Sequence, residues 1–319
     1  MLQARGLSET EAVMRVVWAV VAAVALGAGA VAAQQAAMPA PVVQAQDLTR
    51  VSAHVQVIPD RGLSGLPNVG FIVGTKAVLV VDTGLGPPNG ETVAAVTRRI
   101  APGRKIYLVA THAHPEHDLG AQAFPAGTTL IRSSVQAREE AADMRVAAAF
   151  AQRGADWAAL LKGAVFRPAD LTFETRHVLD LGGVSAEIEA MGPAHTPGDT
   201  IVWVPADRVL FSGDLAMKLQ PSMATPTATL ADWRRVLDRQ AALAPAIVVP
   251  SHGPVGDAGF IEGYRDYLAE VARRTAEAKR AGQDPAQAVE TVAAAMADRY
   301  PDRARLGGAV RMAWKDVEG

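Results

Sequence analysis

The chain has 319 residues, 50% hydrophobic and 20% charged, a globular balance with enough length for a large core. A formal net charge of −2 gives no basic face for nucleic acid. The absence of cysteine excludes disulfides, iron–sulfur clusters and thiolate zinc sites.

Met14-Arg15 precedes an apolar run from Val16 to Leu26 and a small-residue stretch from Gly27 to Ala33. Ala30-Val31-Ala32 and Val31-Ala32-Ala33 both suit signal cleavage. Residues 1–33 are therefore expected to be a signal peptide. The mature protein would then be periplasmic or secreted, with no stable membrane insertion after cleavage. The run is about long enough to span a bilayer, but its alanine and glycine make it weakly apolar. Glu9 and Glu11 are unusual ahead of such a run, so Met14 competes with Met1 as the start. Residues 34–48, rich in Ala, Gln and Pro, read as a disordered linker. Residues 49–319 read as a single domain ending in helices.

Strand-like runs follow at 51–58, 69–73 and 77–81, the last two joined by Gly74-Thr75. Val78-Leu79-Val80-Val81 is continuously apolar, as in a strand buried on both faces. It ends in Asp82-Thr83-Gly84. Val93, Val96 and Ile100 predict a helix over 89–100. A buried strand at 105–110 runs into Thr111-His112-Ala113-His114-Pro115-Glu116-His117-Asp118, with a short helix expected over 117–124. A strand at 128–131 precedes an alanine-rich helical region, 133–163, broken at Gly154. That region reads either as plain packing or as a lid or substrate wall. A second strand series is expected at 173–181, 184–191, 200–205 and 208–211. Then come a helix at 230–243, a buried strand at 247–249, a helix from Phe260, and another opened by Asp284-Pro285. Strands followed by helices occur twice, which fits an α/β arrangement of two packed sheets with helices outside.

Three of the seven histidines fall within residues 112–117, with carboxylates interleaved. Neutral imidazole and carboxylate are the ligand set for zinc and similar divalent metals. Three later segments place a metal-capable side chain at a strand end or glycine turn: Ala194-His195-Thr196-Pro197-Gly198-Asp199, Ser212-Gly213-Asp214 and Ser251-His252-Gly253. The candidate ligands are His112, His114, Glu116, His117, His195, Asp214 and His252. His54 and His177 sit inside strand-like runs and read as ordinary polar positions. Lys218 could pair with an anionic substrate, or simply be solvated.

This pattern over about residues 51–255 resembles the metallo-β-lactamase fold superfamily, with its His-x-His-x-Asp-His motif and distant His, Asp and His. The resemblance implies an αββα sandwich of two mixed sheets with outer helices and the metal site at one edge. It also implies that His112, His114 and His195 hold a first metal, and His117 and His252 with the carboxylate at 116 a second. Asp214 would bridge them, and Asp82 would orient the site from behind. Glu116 departs from the usual aspartate by one methylene. It could still ligate, or it could act from behind the ligands. Thr-His-x-His-Pro-Glu-His resembles a periplasmic branch of metallohydrolases associated with quinoprotein systems.

The expected activity is an exported hydrolase that uses a zinc-activated hydroxide on a small ester, thioester, lactone or lactam, with Glu116 and Asp214 as catalytic carboxylates. A β-lactamase role is included. Two Zn2+ ions are expected, with iron or manganese as alternatives. Two competing readings share the fold: an iron-dependent oxidoreductase like persulfide dioxygenases, and a non-catalytic metal-binding accessory of a periplasmic redox system.

Overall fold

The apolar run at 77–81 forms strand β4 (Ala77–Val81), and every residue of it is buried. Successive side chains leave a strand on opposite faces, so such a run needs cover on both sides. It has both. Leu79 and Val81 share a core with Val202, Val209 and Phe211 of a second sheet. Val80 packs instead with Val93 and Val96 of a helix. The computed structural model describes residues 39–218 and 228–318, apart from the side chains of residues 140–143. The expected signal peptide lies outside the described residues.

The first sheet has seven strands in sequence order: β1 (Thr49–Arg50), β2 (Val55–Ile58), β3 (Val69–Val73), β4, β5 (Lys105–Val109), β6 (Thr129–Ser133) and β7 (Leu171–Phe173). Neighbours from β1 to β4 are antiparallel, and those from β4 to β7 are parallel. Helix α1 (Gly86–Ile100) makes the crossover from β4 to β5. The second sheet runs in the order β12-β11-β10-β9-β8, from β8 (Arg176–Asp180), β9 (Ser185–Ala190), β10 (Thr200–Val204), β11 (Val209–Gly213) and β12 (Ile247–Pro250). Only β11 and β12 pair in parallel, across a connection that contains helix α5 (Leu230–Ala242).

Alternation assigns the layers. Val202 and Val209 face the other sheet. Ile201 and Leu210 face outward onto Trp233, Tyr264 and Val310, carried by α5 and by the C-terminal helices α6 (Gly259–Arg280), α7 (Pro285–Met296) and α8 (Arg303–Asp316). The result is helix, sheet, sheet, helix, the α/β sandwich expected from the resemblance. No helix among the described residues is long and apolar enough to cross a membrane.

Several expectations need correction. The run at 173–181 is two strands in different sheets: Phe173 ends β7 and Arg176 opens β8. Apolar pattern alone cannot show a change of sheet. The helix expected at 117–124 is a four-residue α2 (Pro115–Asp118) followed by a 3-10 turn at Ala121–Ala123. The region 133–163 contains α3 (Glu140–Ala151) and α4 (Ala155–Leu160), but Ser133 still belongs to β6.

The expected linker is also corrected over its described part, residues 39–48. The buried Val43 donates its N–H to Asn89 Oδ1 at 2.8 Å. Asn89 Nδ2 donates to the Pro41 carbonyl at 2.8 Å. One buried amide in α1 therefore satisfies both backbone groups, which low sequence complexity conceals. Asn89→Ala is expected to leave them unpaired, to lower stability by about 1–3 kcal/mol, and to expose the segment before Val43 to limited proteolysis. Denaturant melts and a timed digest check this.

Candidate metal centre

The parallel pairs bring four strand ends to one edge. Val81 lies beside Val109 in the β4–β5 register, and Gly213 beside Pro250 in β11–β12. Asp82, the 111–118 cluster, Asp214 and Ser251-His252 follow directly. Carboxyl ends of parallel strands are where α/β sheets place their ligands. The fifth segment, carrying His195, enters between β9 and β10 and is tied in by Thr200 N–H donating to the Thr111 carbonyl at 2.7 Å.

Asp82 joins these segments. It sits at φ +61°, a left-handed backbone that non-glycine residues adopt at a cost, and it is buried. Its carboxylate accepts Thr111 N–H at 2.7 Å, Thr111 Oγ1 at 3.1 Å and Ser251 Oγ at 3.4 Å. It also lies 2.8 Å from His117 Nδ1. Burial by itself would lower the His117 pKa, but the Asp82 charge and hydrogen bond outweigh it and raise the imidazole to about 9. With Nδ1 engaged, His117 turns Nε2 inward, and that atom has no hydrogen-bond partner. His252 is fixed in the same way by Nδ1 against the Leu66 carbonyl at 2.9 Å.

All seven candidate ligands converge. Donor atoms of His112, His114 and His195 lie within 4.8 Å of one another; so do those of Glu116, His117 and His252, and those of His112, His117 and Asp214. Asp214 lies between the first two trios, with Oδ2 3.4 Å from His195 Nε2 and Oδ1 3.9 Å from His252 Nε2. Burial would raise the Asp214 pKa, but the surrounding imidazoles, His252 first, hold it well below the carboxylate range. Burial, then the neighbouring histidines, lowers His112, and burial brings His114 down to about 4. Both are therefore neutral near pH 7, as metal ligands must be.

Glu116 reaches the centre despite its altered length. Its Oε1 is 3.9 Å from His117 Nε2, and its buried Oε2 has no hydrogen-bond partner. Asp118 faces away and pairs with the fully buried Arg132 at 2.6 Å. Of the remaining histidines, His54 pairs with Asp207 at 2.8 Å, and His177 sits in β8 6.4 Å from the Phe173 ring. Neither joins a metal-holding group among the described residues. Lys218 is exposed and does not line the pocket over the centre.

The donor set fits a divalent cation. Glu116 Oε2, His117 Nε2 and Asp214 Oδ1 are buried without hydrogen-bond partners, a costly state for polar atoms. They belong to trios of imidazole and carboxylate, ligands for zinc, iron or manganese. Of the supports, sequence reasoning anticipated Asp82 and missed Thr111, Ser251 and Asn68. Thr111 and Ser251 adjoin ligands and so were findable. The Asn68 amide, which donates to the Pro250 and Gly253 carbonyls at 2.8 Å each, carries no local signal.

A buried donor set that fits a divalent ion, at the edge of an αββα sandwich, is the arrangement of a class of metalloproteins. The chain belongs within that class to the metallo-beta-lactamase superfamily, whose family model matches residues 64–252. It is 26% identical over 106 residues to a metallo-beta-lactamase type 2 of Bacteroides fragilis, a match covering 31% of this chain and 41% of that protein. A metallo-beta-lactamase from Pontibacter korlensis shares the fold at a TM-score of 0.54 and 23% identity, covering 69% of this chain and 96% of that one. A stereoselective inverting sec-alkylsulfatase from Pseudomonas sp. superposes at a TM-score of 0.63 and 16% identity, covering 85% of this chain but only 50% of that one. At these identities the structural likenesses show fold alone.

Two outcomes test the supports. Asp82→Asn keeps the shape but removes the charge that holds His117. The metal affinity of the Glu116, His117 and His252 trio should fall about 10–100-fold, read by zinc titration against a chelator. The second concerns Glu139, whose carboxyl meets the Gly198 backbone beside the His195 loop. Burial, then the Asp199 carboxylate, push its pKa up to about 7 from an ordinary 4.5. The folded state thus holds the Glu139 proton more tightly than the unfolded state. This group's contribution should cost stability as pH rises from about 4.5 to about 7 and be level outside that window. Glu139→Gln should flatten this part of a melting-temperature profile.

Proposed function

We propose that this chain is an exported metal-dependent hydrolase, with zinc held by the two trios and a small molecule as substrate. One observation carries the reading: three buried donor atoms without hydrogen-bond partners converge from Glu116, His117 and Asp214. A site of pure packing would not keep them.

Divalent ions held there supply Lewis acidity and lower the pKa of a bound water toward about 7. The chain's own residues set the stage. His112, His114 and His195 would hold one position, and Glu116, His117 and His252 the other. Asp214 serves both. Asp82 keeps His117 in one orientation and tautomer. Glu116 Oε2 orients the attacking water by accepting its proton in a hydrogen bond. The pocket above, about 500 Å³, is large enough for a small ester, thioester, lactone or lactam. The names of the relatives support β-lactams within that range and add secondary alkyl sulfates to it. The leader-like residues 1–33 support export to the periplasm or beyond.

His114→Ala and Asp214→Ala are expected to lose hydrolysis across a panel of lactam, thioester, lactone, carboxylic ester and sulfate ester substrates, and to lose bound metal, while keeping the wild-type circular dichroism. Elemental analysis beside the panel decides it. Full metal content and turnover in both variants would remove the assignment.

A further inference from the structure

The pocket over the metal centre has a cationic wall. Its floor is His114, Glu116, His195, Asp214 and His252. Val146, Phe150 and Arg153 of the 140–153 segment form one side, Leu63 of the 60–65 loop another, and Arg305 of α8 closes it. The lining is therefore apolar at Leu63, Val146 and Phe150 and carries two guanidinium groups, Arg153 and Arg305, with Asp60 as a further carboxylate beside those of the floor. The helical region after β6 thus lines the pocket over the centre.

Arg153 is held in an unusual way. Its guanidinium lies 3.8 Å from the centre of the Phe150 ring and 4.9 Å from that of Trp157. The rings themselves meet edge to face at 5.6 Å and are buried. The guanidinium makes no ion pair among the described residues. Stacking engages its flat face, whereas the N–H donors lie in the plane and stay available to a planar or tetrahedral oxyanion. Arg153 lines the same pocket as Glu116 and His252 of the second trio; burial lowers its pKa, and the Glu116 carboxylate opposes that. Arg305 is braced from behind: Asp302 Oδ2 lies 3.3 Å from its Nε, and Asp302 Oδ1 accepts the Arg305 backbone N–H at 3.0 Å.

Resting on the metallohydrolase reading of the same pocket, we propose that Arg153, assisted by Arg305, binds an oxyanion carried by the substrate away from its scissile bond, so that the natural substrate is an anion with an apolar body. The charge would be a carboxylate or sulfate. The apolar body would lie along Val146, Phe150 and Leu63. The anion subsite thus comes from the helical wall and the C-terminal helix, and Lys218 has no part in it.

Two ligands of equal size test this: 2-benzylsuccinate and its half-amide, 2-benzylsuccinamic acid. They differ by one charge. Binding is measured by calorimetry on the full zinc-loaded chain. The diacid is expected to bind the wild type at least about tenfold tighter than the half-amide, with a gap that shrinks as salt rises. Arg153→Gln should narrow the gap to under about threefold, Arg305→Gln should narrow it less, and Arg153→Lys should restore part of it. Each variant should keep the wild-type zinc content. Equal affinities in the wild type, or an unchanged gap in Arg153→Gln, would overturn the proposal. A metal-loaded protein that fails to discriminate removes only the anion subsite. A protein that holds no metal yet discriminates keeps the subsite and loses the hydrolase reading.

Discussion

Three segments meet on the Asp82 carboxylate: its own turn, the 111–118 cluster and the turn at Ser251. It takes hydrogen bonds from Thr111 and Ser251 and fixes His117, and it does so from a left-handed backbone at the end of a fully buried strand. Burying such a charge costs several kcal/mol unless it is fully paired. Here the pairing is supplied by the segments that carry the ligands. The energy of keeping Asp82 satisfied is thus also the energy that holds His112, His117 and His252 in register. This couples the sandwich to the metal centre: moving one sheet against the other would separate Asp82 and Thr111 from Ser251.

Electrostatics divides the imidazoles by task. His112 and His114 are pushed toward neutrality by burial and by neighbouring imidazoles, His117 first for His112 and His195 first for His114. His117 is pulled the other way because Asp82 stands behind it. Asp214 stays ionised because it is ringed by nitrogen. A cluster this dense holds together with little repulsion only when most imidazoles are uncharged. The carboxylates of Glu116 and Asp214 could match the charge of a divalent cation held there in place of that remaining proton. On this account Glu116 is one more anionic arm, long enough to reach the His117 and His252 side without displacing the short α2.

The candidate ligands were legible in the sequence because they are polar residues at places where polar residues are conspicuous. His112, Asp214 and His252 each end or follow an apolar run, so strand and ligand announce one another. The sandwich was legible for the same reason, from Val78 to Val81 and from Ile247 to Val249. Three features were not. The change of sheet at Glu174-Thr175 leaves no trace in an apolar pattern. The ordered segment at 39–48 depends on Asn89, a distant residue that looks like any polar position on a helix. Arg153 resembles a solvated charge until Phe150 and Trp157 are seen beneath it. Each of these depends on a long-range contact, which local periodicity does not encode.

The central claim is that this centre has two metal positions and that Glu116 serves one of them. Zinc titration of the full chain and of Glu116→Ala, each against a competing chelator, tests it most directly. The account predicts two ions per chain in the wild type. In Glu116→Ala it predicts one retained with near-wild-type affinity and the other weakened at least about tenfold. Two ions bound with unchanged affinities in Glu116→Ala, or no zinc bound by the wild type, would contradict it.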